Sequence, residues 1–467
     1  MNRRHFLLGS AAAAGALRMK AAPSANNVVR IGIAGTRMRG IIHVRSFANL
    51  PDVEVVALCD VDQSVLGEGV KALEEMGKKR PATYSDFRKL LEDSSIDAVS
   101  IATTNHWHAL QTIWACQAGK DVFVEKPCSH NIFESQQIVA AAKKYNRMVQ
   151  HGNQARSSPA VQEACQKLRE GVIGDVYMTR GLCYRWRPSI GKTPVEAVPA
   201  GVDYDLWTGP APKREFTRNR FHYNWHWLWD YGNGDLGNQG IHEIDLCRAA
   251  LGLTYPTRIS AMGGKFLFDD DQETPNVLNV SYEFDSNGRK RFMEFAVRHW
   301  MTNDEAALQV NPENNAKHGG GMSYSSGDYE LPRPQRPPGT AGATRTEVGN
   351  LVGNIYYGSN GYLVIRGYDQ YYTRLGRSHE PGPHAKAQGK HWANFIQAVR
   401  SRRESELNSP ISEGAMSSVA VHLANISYRL GRTLTFDAKT MTCVGDKEAN
   451  RMFTRDYRKP FVVPERV

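Results

Sequence analysis

The chain has 467 residues, 41% of them hydrophobic and 23% charged, with a formal charge of +10 and seven cysteines. That is the composition of an ordinary folded protein with room for two domains, and it excludes a disordered or collagen-like chain. The cysteines show no CxxC or repeated spacing, which argues against a disulfide framework or zinc knuckle, and no dense Lys/Arg block with interleaved aromatics marks a nucleic-acid surface.

Residues 1–25 read as an export signal. Arg3-Arg4 precedes His5, Phe6, Leu7 and Leu8, then an Ala/Gly/Leu-rich stretch. The pattern resembles the twin-arginine signal handled by the Tat export machinery. Its apolar run is too short to span a bilayer, so the mature chain is expected to be periplasmic or otherwise exported, with no stable membrane insertion. Cleavage near Ala22 or Ala25 would remove Arg3, Arg4, Arg18 and Lys20 and lower the formal charge to about +6.

Over 28–150, short apolar runs at 29–34, 53–59, 98–103, 122–125 and 147–150 alternate with amphipathic stretches. This rhythm predicts parallel βαβ units and a doubly wound sheet, a Rossmann domain. The first run leads into Gly35-Thr36-Arg37-Met38-Arg39-Gly40, a GxGxxG dinucleotide fingerprint in which Arg37 replaces the middle glycine. That glycine normally lets the backbone approach a pyrophosphate. The following helix N-terminus still offers free N–H groups, and Arg37 adds positive charge nearby. Asp60 closes the second run, where an acid contacts the ribose hydroxyls and repels a 2′-phosphate. Asp60 therefore favours NAD over NADP, while Arg37 argues the other way.

The fourth run continues as Ile101-Ala102-Thr103-Thr104-Asn105-His106-Trp107-His108, and further on stand Ala118-Gly119-Lys120 and Glu125-Lys126-Pro127. A lysine closing a buried strand is costly to place unless it has work there, and the proline fixes the backbone after it. Both features aim a charge into the crevice at the strand ends, where open α/β sheets bind ligands. The stretch resembles the glucose–fructose oxidoreductase, inositol dehydrogenase and rhizopine catabolism (Gfo/Idh/MocA) family, with its TPNxxH and AGKxVxxEKP motifs. Thr103, Asn105, His108, Ala118, Gly119, Lys120, Val122, Glu125, Lys126 and Pro127 match, and only Thr104 departs. The resemblance runs from Val28 to about Asp437 and is weakest over 301–350. It implies NAD held by Gly35, Thr36, Arg37, Met38, Arg39, Gly40, Asp60, Thr103, Asn105, His108, Glu125 and Lys126.

After His151 the pattern changes. A helix is expected over 156–170 and strands over 176–184, 257–268, 277–284, 291–298, 354–357 and 362–367, with Asn287-Gly288 as a hairpin turn. These elements predict a second α/β domain over 151–440 with a largely antiparallel, open-faced sheet, covered by helices around 391–401 and 415–429 and followed by a tail at 441–467. Residues 301–350, rich in glycine, proline and polar groups, read as an irregular insertion, either functional or loosely ordered.

The same resemblance places a DxGxH motif at Asn238 and His242, with asparagine where the family has aspartate. Asparagine orients a hydroxyl but cannot take its proton; Asp235 and Asp245 are the nearby substitutes. Asp245, three residues on, would share a helix face with His242. Trp225, Trp227, Trp229 and Tyr231 alternate, and in an extended segment they would form one face, either buried or a wall for a sugar ring. Asn153, Gln154, Asn238 and Trp227 are the expected substrate contacts. His222, His226 and His242 lack Hx₃H or HExxH spacing, so no metal is expected. The resemblance implies hydride transfer between a sugar or cyclitol secondary alcohol and a tightly held nicotinamide, with His242 as general base or acid and Lys126 polarising the reacting oxygen. It also implies a homo-oligomer. Two other readings are an NAD-dependent glycoside hydrolase that oxidises its substrate transiently, and a non-catalytic sugar-binding protein.

Overall fold

Apolar runs flanked by helix-forming stretches bury both faces of a sheet, and the first half of the chain does so. The computed structural model describes residues 28–286, 288–300 and 351–467; the expected export signal, the insertion at 301–350 and Asn287 of the hairpin lie outside them. Strands β1 (Val29–Ala34), β2 (Val53–Cys59), β3 (Ala82–Tyr84), β4 (Ala98–Ile101), β5 (Asp121–Val124) and β6 (Val149–His151) form a parallel sheet in the order β3-β2-β1-β4-β5-β6. The order reverses between β1 and β4, which opens a ligand crevice at their carboxyl ends. Strand β3 is a short edge with exposed residues, so it carries no apolar run to betray it.

The second sheet contains β7 (Val176–Arg185), β8 (Arg258–Gly264), β9 (Val277–Ser286), β10 (Arg289–His299), β11 (Leu351–Gly358), β12 (Gly361–Arg366), β13 (Gln370–Leu375), β14 (Glu380–Lys386), β15 (Leu434–Asp437) and β16 (Thr442–Cys443). Their order is β14-β13-β12-β11-β7-β10-β9-β8-β15-β16. Only the β7–β10 pairing is parallel. Strand β9 alternates: Leu278, Val280, Tyr282 and Phe284 turn inward under the helices Gly240–Ala250 and Ile411–Leu430. The opposite face carries Met262 at 81% exposure and Phe292 at 41%.

Two expectations change. The helix His391–Ser401 does not cover the second sheet. Its Trp392, Phe395, Ile396 and Val399 pack on Ile31, Phe47 and Phe123 of the first domain. The tail also returns there, with Phe461 edge-on to Trp107 at 5.3 Å. The chain thus crosses between the two domains more than once.

The segment 186–232 is likewise not an extended aromatic face. Asn224–Trp227 is a 3-10 turn, which breaks the alternation of Trp225, Trp227, Trp229 and Tyr231. Its aromatic residues Tyr204, Trp207, Phe216, Phe221, Trp225 and Tyr231 instead form a small core of their own. That core leans on the first domain through Gly209, where a Cβ would stand 2.2 Å from the Trp107 ring.

Because Trp392 is fully buried against β1 and β5 residues, Trp392→Ala should destabilise the protein by about 3–5 kcal/mol in urea unfolding. A loss of under about 1 kcal/mol would contradict this placement of the helix.

Candidate active site

The turn after β1 is built by its two remaining glycines. Gly35 has φ +77°, and a Cβ on it would lie 2.6 Å from the Ala102 carbonyl oxygen. A Cβ on Gly40 would lie 1.8 Å from the Gly35 carbonyl oxygen, so only glycine lets the helix Arg39–Ala48 start this close to β1. Arg37 points outward and is exposed, which explains how this turn forms without the middle glycine. The helix begins after Met38 (φ 45°) with no acid in its first turn and no side-chain cap, leaving N–H groups for an anion. Asp60, partly exposed at the end of β2, accepts from Thr36 N at 2.8 Å, Thr36 Oγ1 at 3.2 Å and Asp62 N at 3.1 Å. Burial raises its pKa while these bonds oppose the shift. A glycine cradle, an uncapped helix start and an acid at the end of β2 fit a dinucleotide's pyrophosphate and ribose.

Glu125 is buried at the end of β5. Arg39 Nε lies 2.7 Å from Oε1 and His43 Nε2 2.9 Å, while His43 Nδ1 faces Ser100 Oγ at 2.7 Å. Burial alone would raise this carboxyl, but Arg39 and His43 hold it well below the usual range. Arg39 also lies over Trp392 and reaches Gln154 Oε1 at 3.5 Å. Glu125 therefore fixes Arg39 beneath the glycine turn, and Gln154 belongs to that group of side chains.

The residues after β4 act as braces. Thr103 Oγ1 donates to Gln111 at 2.7 Å, and Asn105 Nδ2 donates to Asn233 Oδ1 of the second domain at 3.2 Å. His108 lies between Pro127 O (2.7 Å) and Thr103 O (3.0 Å). Its ring thus ties the end of β4 to the cis Lys126-Pro127 peptide.

Lys126 emerges from this brace into the crevice. Its ammonium donates to both the backbone oxygen and Oδ1 of Asn238, the latter at 3.2 Å. Asn238 Nδ2 in turn donates to Asp235 Oδ1 at 3.3 Å, which turns the amide oxygen toward the lysine. Asp235 is saturated by Arg187 (2.5 and 2.7 Å) and by His299 Nε2 at 2.9 Å. No carboxylate among the described residues pairs directly with Lys126, and loss of hydration brings its pKa down to about 8.

His242 sits one helical turn beyond Asn238. Its Nδ1 is 2.8 Å from Asn153 Oδ1, and Asn153 Nδ2 donates to Asp245 Oδ2 at 2.6 Å. Asp245 also takes Arg156 (2.6 and 2.8 Å) and Ser417 Oγ at 2.6 Å. Because Asn153 spends its N–H on Asp245, its oxygen faces the imidazole. Nδ1 therefore carries the ring proton, and Nε2 offers a lone pair with no partner among the described residues. Burial, then the Lys126 charge, push the His242 pKa well down, so the base is neutral. The Tyr368 ring lies 4.7 Å from the imidazole.

The structure brings Lys126, Asn238 and His242 together as the sequence suggests. It moves others. Asn153 is fully buried behind His242 rather than facing the crevice. Trp227 is buried under the Arg187 guanidinium at 4.8 Å. Asp245 and His242 share a helix but communicate through Asn153. His222, His226 and His242 do not converge; they face Asp62, the Tyr223 carbonyl and Asn153 respectively. Sequence reading missed Arg156, Arg187 and Tyr368, which no motif marks.

Two descriptions of the Gfo/Idh/MocA family match: "Oxidoreductase family, NAD-binding Rossmann fold" over residues 29–153, and "Oxidoreductase family, C-terminal alpha/beta domain" over 169–263 and 361–463. A Shewanella baltica glycosyl hydrolase family 109 protein is 34% identical over 157 residues, which are 32% of this chain and 34% of that protein. A Shewanella pealeana protein of the same name is 32% identical over 205 residues, 38% of this chain and 44% of that one. The chain thus matches less than half the length of these curated relatives. The WlbA dehydrogenase of Bordetella pertussis, solved with NADH and UDP-GlcNAcA, shares 17% identity at TM-score 0.59, over 88% of this chain and 99% of that one. An aldose-aldose oxidoreductase of Caulobacter crescentus, solved with glycerol, shares 17% at 0.61, over 88% and 100%. At that identity the two structures show a common fold.

Two shifted groups predict the pH profile. Lys126 keeps its charge below about pH 8 and loses it above, while His242 is already neutral well below 6.5. On any substrate it turns over, kcat/KM should show no acidic limb near 6.5 and should fall as pH rises through about 8. Asn238→Asp, which sets a carboxylate on the ammonium, should carry that fall upward by about one unit or more. An acidic limb centred near 6.5, or an alkaline limb indifferent to Asn238→Asp, would contradict these assignments.

Proposed function

The chain belongs to the Gfo/Idh/MocA oxidoreductase family, and we propose that it transfers a hydride between a secondary alcohol of a sugar or cyclitol and a tightly held NAD. The observation that carries this reading is the pair of groups facing one crevice: the neutral Nε2 of His242, backed by Asn153 and Asp245, and the ammonium of Lys126 on Asn238. His242 takes the hydroxyl proton as the carbon gives up its hydride. Lys126 stabilises negative charge developing on the same oxygen, and a cation fixed in place before the reaction needs no reorganisation to do so. The cofactor, when bound, accepts the hydride. In the reverse direction His242, protonated, returns the proton to the oxygen. Asp245, held well below the usual carboxylate range by Arg156 despite its burial, stays anionic and steadies the imidazolium through Asn153. Retention of both groups speaks against a merely sugar-binding protein.

A second reading is supported by the likeness to glycosyl hydrolase family 109 proteins. In it the same pair would assist oxidation of a sugar hydroxyl by bound NAD, water would take the place of the departing aglycone, and the hydride would be returned to the sugar. Both readings suit a chain exported to the periplasm on a twin-arginine signal, since free NAD is scarce there and a cofactor recycled in place need not be replaced. The exposed Met262 and Phe292 on the outer face of the second sheet favour a homo-oligomer formed through that face.

Mature protein isolated from a periplasmic extract without added nucleotide should carry about one NAD(H) per chain. Offered free sugars, it should generate reduced-cofactor absorbance, up to one equivalent unless a second sugar reoxidises it. Offered aryl glycosides, release of the aryl group with no net cofactor reduction would select the hydrolase reading instead. A cofactor-loaded protein inert to both panels would contradict the proposed activity. Nucleotide-free protein that works only with excess NAD would contradict the tight retention.

A further inference from the structure

Asp60, the acid suited to a ribose, is followed two residues later by Asp62. The Asp62 side chain points in two directions. Oδ1 caps the helix Gln63–Glu75, accepting from Ser64 N at 2.9 Å, and Oδ2 is reached by His222 Nε2 at 3.0 Å. His222 comes from the segment 186–232, which follows the first domain in sequence yet lies across the rim of the first sheet. Backbone bonds tie that segment to the residues just after Asp60: Gln63 N donates to Gly201 O at 3.0 Å and Asp203 N to Val61 O at 2.9 Å. Asp62 and Val202 form an isolated antiparallel bridge, and Val61 and Val202 pack under the aromatic core.

We propose that this segment is a clasp across the adenosine end of the dinucleotide groove, and that His222, latched on Asp62, governs how slowly the bound cofactor leaves. The proposal rests on the tight-retention reading above. The latch is bonded to the acid suited to the ribose. Asp62 N donates to Asp60 Oδ1 at 3.1 Å, and Arg37, standing where the fingerprint has glycine, lies close enough to lower the proton affinity of His222, after the larger effect of burial. The clasp is also built to open. The His222 side chain is 29% exposed, its backbone sits at φ 65° in the left-handed region, and its imidazole touches Asp62 at 3.0 Å and the Phe221 ring at 3.7 Å. The aromatic core behind it stays fixed on the first domain, where Trp107 Nε1 donates to Trp207 O at 3.0 Å, so freeing His222 and the two backbone bonds would open only the rim beside Asp62, without unfolding either sheet.

The test follows displacement of bound NAD from loaded, gel-filtered protein by excess isotopically labelled NAD. His222→Leu and Asp62→Ser both remove the latch, and serine keeps the helix cap. Each should speed release about tenfold or more, the scale of one close polar contact to a charged group. His222→Gln keeps an N–H at the same reach and should hold release near the wild-type rate, which a merely structural role for the imidazole would not explain. Unchanged release in both latch-removing variants, or failure of glutamine to restore slow release, overturns the clasp while leaving retention intact. Wild-type protein that exchanges its cofactor within the mixing time overturns the retention reading and the clasp with it.

Discussion

An ammonium held at the end of a buried parallel strand without a carboxylate against it is the constraint on which this site depends. Lys126 would give up its proton unless its surroundings compensated for lost hydration. Compensation comes from two oxygens of Asn238 and from the nearby Glu125 charge. Glu125 is in turn fixed by Arg39 and His43 on the helix that begins at the glycine turn. The arrangement of charge around the reacting oxygen is thus set by the elements that form the cofactor crevice. Movement of the helix Arg39–Ala48 would disturb Glu125, and through it Lys126.

The two reactive groups share one design. Each is backed by a carboxylate at the remove of one amide: Asp235 reaches Lys126 through Asn238, and Asp245 reaches His242 through Asn153. An amide transmits orientation and part of the field but cannot accept the proton. Lys126, stripped of hydration and with no carboxylate against it among the described residues, has its pKa brought down to about 8, while His242 is fixed in one tautomer. The asparagine at 238 is consistent with this economy, because Asp235, one turn earlier, supplies the negative charge and is itself neutralised by Arg187 and His299.

Much of the fold was legible because its signals are local. Five of the six strands of the first sheet fall in largely apolar runs, the edge strand β3 excepted. Gly35 and Gly40 announce a turn that no side chain could share, and β7 to β12 alternate or run apolar. Strands β13 and β14 were missed because tyrosine, arginine, proline and histidine dominate them. The stripe of the helix His391–Ser401 was visible, but its destination was not, since a stripe does not name its partner. Lys126 and His242 could be found from motif spacing. Asn153, a polar residue just after a strand, resembles a substrate contact in sequence. Its bond to His242 spans 89 positions, and only the packing of two domains reveals it. Arg187 and Asp235, which set the charge behind Asn238, are joined across two elements in the same way.

The central claim is that Lys126 acts on the transition state rather than on cofactor binding. The direct measurement is single-turnover reduction of the bound nicotinamide by a sugar that the protein oxidises, comparing wild type with Lys126→Met at matched cofactor occupancy. The account predicts near-stoichiometric NAD in the variant and a hydride-transfer rate constant lower by about two orders of magnitude or more. A variant that keeps the wild-type rate constant while losing its cofactor would contradict the account and make Lys126 a binding residue.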